Sequence, residues 1–215
     1  LRAGSFTQDA RGRWYINVPV DVPVERSHGK DTIGIDLGVK TTATCSDGEK
    51  VEPEGLVQKW AEKLAIAQRA RKKKRAAAIH AKVANIRKHY LHKRTTALVR
   101  RAAAIFVGSV PVKWMASGRK SKQALDGAAG MFKAMLAYKA NAQQVWFEEI
   151  DEKWTSQACS VCGEIPESSP KGEVGLGIRE WACSSCGSVH DRDVNAARNI
   201  LARGPARLGE GIAAC

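Results

Sequence analysis

Residues 183–200 read CSSCGSVHDRDVNAARNI, a cysteine knuckle followed closely by two aspartates and a run with helical spacing. The knuckle echoes CSVCG at Cys159–Gly163, and 20 residues separate Cys162 from Cys183. Two Cys-x-x-Cys-Gly pairs at this spacing present four thiolates, Cys159, Cys162, Cys183 and Cys186, which suit tetrahedral zinc. The glycine after each pair permits the tight turn that points both sulfurs at one ion. Four protein ligands fill the coordination sphere, so this zinc is expected to be structural, with no position open for water or substrate. Asp191 and Asp193 stand just before the helical run. Taken alone, that place suits an N-cap or a partner for the helix dipole as well as it suits a metal ligand.

Working outward, the closing helix is expected over Val194–Ala202. Upstream, DTIGIDLGVKTTATCSDGEKV at Asp31–Val51 reads as a β-hairpin with Asp36 on its first, otherwise apolar strand. A carboxylate there is costly to bury unless it is paired or binds metal, though a lone aspartate could also cap a turn. Leu56–Ala104 is rich in Ala, Lys, Arg and Leu with no Pro or Gly, which predicts long helices, two of them as a hairpin. AIFVGSV at Ala104–Val110 reads as a buried strand and SGRKSK as a basic loop. Leu125, Ala129, Phe132, Leu136 and Ala140 recur at helical spacing, and VWFEEID at Val145–Asp151 reads as a further strand. RWYINVPVDVPV near the start reads as a strand whose partner could lie outside this sequence. Strands separated by helices predict an α/β fold with a mixed sheet.

The chain has 215 residues, with 35 Lys and Arg against 22 Asp and Glu, a formal net charge of +13. From Lys63 to Leu125 there is no acidic residue, and that segment holds 18 of the 35 basic ones. A solvated helix face normally mixes both signs, so the segregation favours a polyanionic partner. Arg69, Arg71, Lys72, Lys73, Lys74, Arg75, Arg87, Lys88, Lys93 and Arg94 are the candidate nucleic-acid contacts. His80, His89 and His92 among them read as surface or phosphate-contacting groups. No run of about 18 apolar residues could cross a membrane. The first residue is Leu1 and no secretory leader is evident, so the expectation is a truncated or internal start. With thiols kept reduced, Cys45 and Cys215 are expected to have no chemical role. Trp146, Trp154 and Trp181 are expected to pack against sheet and ribbon, and Thr155–Gln157 to contact a phosphate or cap a turn.

Four stretches in order, IGIDLGVKTTATCSDG, HAKVANIRKHYLHK, TSQACSVCG and CSSCGSVHDRDVNAARNIL, together resemble the RuvC-like nuclease half of the transposon-encoded TnpB proteins. Those are RNA-guided DNA endonucleases related to the type V CRISPR effectors. The resemblance runs from about Ile33 to Leu201. It implies an RNase H-like (RuvC) mixed sheet with a helical insertion at 56–104 and a four-cysteine zinc ribbon inserted at 158–187. The nuclease domain would be 31–157 with 188–203, preceded by the end of a β domain at 1–30 and followed by a tail at 204–215. Asp36 resembles the family's first catalytic aspartate and Asp193 its last, with Asp191 as a cap or supporting group. Magnesium or manganese would be the catalytic ion, held by carboxylates in the two-metal manner. Guide RNA and target DNA would be the partners, in a cytoplasmic, nucleoid-associated protein.

One departure matters. The family usually carries its middle acid, a glutamate, at the end of the strand that here reads IFVGSV, and this chain offers only Gly108 and Ser109. Glu148 on the neighbouring strand is the candidate replacement, with Glu149 as alternate, since adjacent strand residues face opposite ways. The competing readings are a site that has lost its chemistry, leaving an RNA-guided DNA binder that acts as a repressor, and a plain zinc-ribbon nucleic-acid module.

Overall fold

The computed structural model describes residues 3–9, 11–21, 23, 26–38, 41–52, 59–109, 128–172 and 174–212. By contact the chain divides into two compact units, one of Leu1–Glu25 with Glu54–Tyr90 and one of Arg26–Pro53 with Leu91–Cys215.

In the first unit, β1 (Ser5–Gln8) pairs antiparallel with β2 (Trp14–Asn17), so the aromatic strand finds its partner inside this chain. The Asp9 carboxylate fixes the connecting turn by accepting the Arg11 and Arg13 N–H groups at 2.8 and 3.0 Å. The basic stretch forms two helices, α1 (Ala61–Arg69) and α2 (Lys73–Arg101), joined by a turn in which Arg71 has φ 53°. The alanine-rich, proline-free composition sustains 29 residues of α2 without a break. The second unit takes up this helix from Leu91.

The second unit is built on a five-stranded sheet ordered β5-β4-β3-β6-β7. β3 (Asp31–Leu37), β4 (Ala43–Cys45) and β5 (Lys50–Val51) form an antiparallel meander. β6 (Ala102–Gly108) and β7 (Trp146–Ile150) join on the other side of β3 as parallel strands. Between them runs α3 (Ala128–Ala142), which buries Phe132, Met135, Leu136 and Ala140. Leu125 and the SGRKSK loop lie outside the described residues. β6 starts two residues earlier than expected, directly after α2, and the Ser27 hydroxyl donates toward the Val99 and Arg100 carbonyls at that junction, 3.1 Å each.

One face of the sheet packs on α4 (Arg192–Ile212) through a core of Ala104, Phe106, Ile150 and Ile200, with Leu201 against it. α4 lies so close that a Cβ on Gly34 would collide with the Ala197 carbonyl oxygen, and one on Gly204 with the Phe106 ring. Glycine is required at both crossings. The helix therefore continues beyond Ala202, where the sequence suggested an end, and runs through Pro205 to Ile212. A short hairpin of β8 (Glu180–Ala182) and β9 (Val189–Asp191) precedes it.

Candidate functional site

Strand register sets the level at which side chains meet. Ile35 pairs with Val107, and Gly108 with Ile150, so Asp36, Gly108 and Ile150 stand in one row across three parallel strands. All lie at the carboxyl ends of their strands, where sites in open α/β sheets form. Gly34 and Phe106 face α4, and by the two-residue period so do Asp36 and Gly108.

A side chain at Gly108 would not find open space. Its Cβ would come within 2.7 Å of Glu152 Oε2 and 3.1 Å of Ile200 Cδ1. Glu152, two residues past the end of β7, thus projects its carboxylate over the glycine, on the face shared by Ile150. Its backbone is fixed by a turn in which the Thr155 N–H and hydroxyl both donate to the Glu152 carbonyl, at 3.0 and 2.7 Å. Thr155, which sequence left between phosphate contact and turn capping, is seen here as the cap.

Asp36 is acted on by two negative neighbours, Asp193 and Glu152. Burial first, then the repulsion of Asp193 and Glu152, lifts its carboxyl well above the usual range, with Arg192 opposing. Burial likewise pushes Glu152 up to about 7, helped by Asp151 and opposed by Lys133. Glu152 Oε2 is buried with no hydrogen-bond partner. Asp36 and Glu152 are mutually repelling carboxylates, one with an orphaned oxygen, and such oxygens suit hard divalent cations, although among the described residues only the four cysteines lie close enough together to form a metal-holding group.

Glu148, the sequence's candidate for this place, stands elsewhere. It pairs with Phe106, one pleat repeat back from the row of Asp36, and its carboxylate accepts the Trp146 indole N–H at 3.2 Å. Glu149, on the opposite face, is bound to Lys133 at 2.9 Å. Both lie in the body of the strand short of that row, which Ile150 occupies at the end of β7 and the Glu152 carboxylate overhangs from beyond it. A signal for Glu152 was present in EEIDE, where Glu148, Ile150 and Glu152 share one face and only the last lies past the apolar residues.

Asp191 and Asp193 divide their tasks. Asp191 Oδ1 accepts the Asp193 and Val194 N–H groups at 3.0 Å each, capping α4, and its Oδ2 binds Lys50 at 2.7 Å. Burial would raise this carboxyl, but the Lys50 bond and the helix N–H groups outweigh it and hold it below its ordinary value. Asp193 is held by Arg179 of the ribbon at 2.8 Å, with Arg192 at 3.5 Å, and its charge acts on Asp36. Sequence reading named neither Arg179 nor Lys50, because nothing local distinguishes them from other surface cations.

The four sulfurs of Cys159, Cys162, Cys183 and Cys186 lie within 4.8 Å of one another, a group that could hold a metal ion. The two knuckles repeat one backbone pattern. Gly163 and Gly187 N–H donate to the Cys159 and Cys183 carbonyls at 2.8 Å each, with φ of 80° and 75° at the glycines. His190 supplies no fifth position: it is buried, stacks on Trp181 at 4.8 Å, and its Nε2 lies 3.1 Å from Cys159 Sγ. Asn195 and Asn199 on α4 tie the ribbon to the helix, each donating to the Ala158 carbonyl at 2.7 Å. Asn195 also accepts the Ser160 N–H at 2.9 Å.

Of the three tryptophans expected to pack, only Trp181 does so, at 6% exposure between Cys159 and Cys183. Trp146 and Trp154 are 48% and 51% exposed. Cys45 is sealed in the sheet, as an inert thiol should be, and Cys215 lies outside the described residues. Among the basic candidates, Arg69, Arg71, Lys72, Lys73, Lys74, Arg75, Lys88 and Lys93 are exposed, as are His80 and His89. Arg87 is half-buried, and Arg94 is bound to Glu49 at 3.2 Å. No described helix is long and apolar enough to cross a membrane.

Known proteins resemble the chain in sequence and in fold. Residues 15–119 match the family described as "Probable transposase", and residues 130–200 match "Cas12f1-like, TNB domain". A "Putative RNA-guided DNA endonuclease" of Streptomyces pristinaespiralis is 33% identical over 97% of this chain and 54% of its own length. The chain thus resembles transposon-encoded RNA-guided endonucleases along nearly its whole length. A second relative, "Putative RNA-guided DNA endonuclease InsQ" of Escherichia coli strain K12, is 33% identical over 93% of this chain and 56% of its own length. Among solved structures, the Cas12f1-sgRNA-target DNA complex shares the fold at a TM-score of 0.60 and 19% identity, over 87% of this chain and 53% of that one. The chain spans about half the length of the curated relatives it matches.

Proposed function

We propose that this chain is the catalytic part of an RNA-guided DNA endonuclease that hydrolyses phosphodiester bonds with divalent cations held by Asp36, Glu152 and Asp193. The observation that carries the reading is the placement of the Glu152 carboxylate over Gly108, beside Asp36. The orphaned Glu152 oxygen and the raised Asp36 and Glu152 carboxyls fit a cation. Magnesium or manganese, when bound, would polarise the phosphate and activate water at neutral pH. The chain's own groups do the rest. Asp191 and Lys50 fix the start of α4, Arg179 orients Asp193, and the Thr155 turn presents Glu152. The thiolates of Cys159, Cys162, Cys183 and Cys186 would hold zinc as a structural ion. The exposed lysines and arginines of α1 and α2 would carry guide RNA and target DNA by their phosphates, leaving sequence choice to base pairing.

The test is cleavage of labelled DNA with magnesium or manganese and any RNA that co-purifies. Asp36→Ala and Glu152→Ala are each expected to lower the rate at least 100-fold, while Glu148→Ala stays within about threefold, taking one removed electrostatic group as the scale. Moving the acid back, Glu152→Ala with Gly108→Glu, should recover part of the lost rate. Equal loss from Glu148→Ala, or no loss from Glu152→Ala, would overturn the assignment. Metal-independent binding without cutting would favour the repressor reading.

A further inference from the structure

Trp154 is the residue at this site that packing does not explain. It follows Glu152 by two positions, in the turn that presents that carboxylate. Its indole is 51% exposed. Its backbone lies at φ 69°, a left-handed conformation that bulky residues adopt only at a cost. The conformation is held firmly, because the Trp154 carbonyl accepts the Gln157 and Ala158 N–H groups at 3.0 and 2.9 Å. Asparagine or glycine would satisfy the same turn without strain and without a large apolar ring in water. Lys153 stands beside the ring, its ammonium 5.5 Å from the centroid. A fixed, exposed aromatic with an adjacent cation is the arrangement by which proteins hold single-stranded nucleic acid irrespective of sequence, the ring stacking on a base and the cation meeting a phosphate.

We infer that Trp154 is a stacking platform for a base of the single DNA strand being cut, placed to hold the backbone against Asp36, Glu152 and Asp193. This rests on the nuclease reading for its purpose, but the contact itself is measurable without cleavage. Rigid attachment to the Glu152 turn means that a stacked base and the carboxylate keep a fixed spacing. The platform would thus position the strand along its length, which charge alone on a flexible lysine does not do.

The experiment uses the whole chain carrying Asp36→Ala, so that no cutting occurs, and two fluorescent strands, twelve thymidines and an abasic strand of equal length. Trp154→Ala and Trp154→Gly are expected to weaken the thymidine strand about tenfold, as loss of one stacked base does, and Trp154→Phe about threefold or less. All should bind the abasic strand as the parent does. Trp154→Gly should melt at or above the parent temperature, since glycine is at ease at this φ, which separates lost contact from lost fold. Unchanged thymidine binding in Trp154→Ala, equal loss on the abasic strand, or no measurable binding by the parent would overturn the proposal. Absence of metal-dependent cleavage by the chain with Asp36 intact would defeat the nuclease reading and leave this contact standing or falling on its own measurement.

Discussion

Glu152 is a side chain whose charge state reports on its surroundings. Its carboxyl is pushed up to about 7 from an ordinary 4.5, chiefly by burial, so the folded protein holds this proton more tightly than the unfolded chain does. The contribution to stability is complete below the unfolded value and is lost as pH rises through about 7. Asp36, raised for related reasons, acts in the same direction. Melting temperature in magnesium-free buffer should therefore fall between pH 6 and pH 8 by more in the parent than in Glu152→Gln, which cannot ionise. Adding magnesium at pH 8 should raise the parent's melting temperature and leave the variant's nearly unchanged, because a ligand stabilises only the state that binds it. A parent and variant with identical pH profiles would show that the carboxylate is not buried among like charges.

At the scale of elements, the crossing of α4 over β3 sets where Asp193 stands relative to Asp36. Gly34 has no room for a methyl group, since the clash is with backbone at Ala197. Gly34→Ala should destabilise the protein by about 1–3 kcal/mol, the usual range for overpacking, or force α4 to move. Chemical denaturation measures the first, and loss of cleavage at unchanged stability would reveal the second. Most elements were legible beforehand because their signals are local. Alternation marked the hairpin around Asp36, alanine-rich basic sequence marked α1 and α2, and knuckle spacing marked the ribbon. Glu152 was not legible, because its position depends on the register between β6 and β7 and on a turn past the strand end, neither of which a period of two contains. The reach of α4 through Pro205 was hidden for a similar reason. Proline reads as a stop, and only the packing of Gly204 on Phe106 shows why the helix continues.

For the second unit as a whole, sheet and ribbon are joined by a few hydrogen bonds and ion pairs. Asn195, Asn199 and the Lys50 to Asp191 pair connect the knuckle, β5 and the start of α4, while Arg179 reaches from the ribbon to Asp193. One equivalent of zinc is expected by elemental analysis of the purified chain. Stripping it with a zinc-selective chelator should lower the melting temperature and expose four thiols to a thiol reagent, with Cys45 remaining protected inside the sheet. Cleavage should fail at the same chelator concentration. Reactivity of the four thiols before any chelator is added would show that no ion holds them.

The proposed handover of a carboxylate from the end of one strand to just past its neighbour bears on how such proteins are compared. An alignment scores letters in columns, and in the column of Gly108 it meets a residue with no functional group, so it would count the chain among degenerate relatives. In three dimensions the same spot is filled, since an oxygen from Glu152 hangs over that glycine. Ancestry can keep a location while changing which stretch of polypeptide supplies it, and whether a chemistry has been lost is better judged from positions in space than from letters.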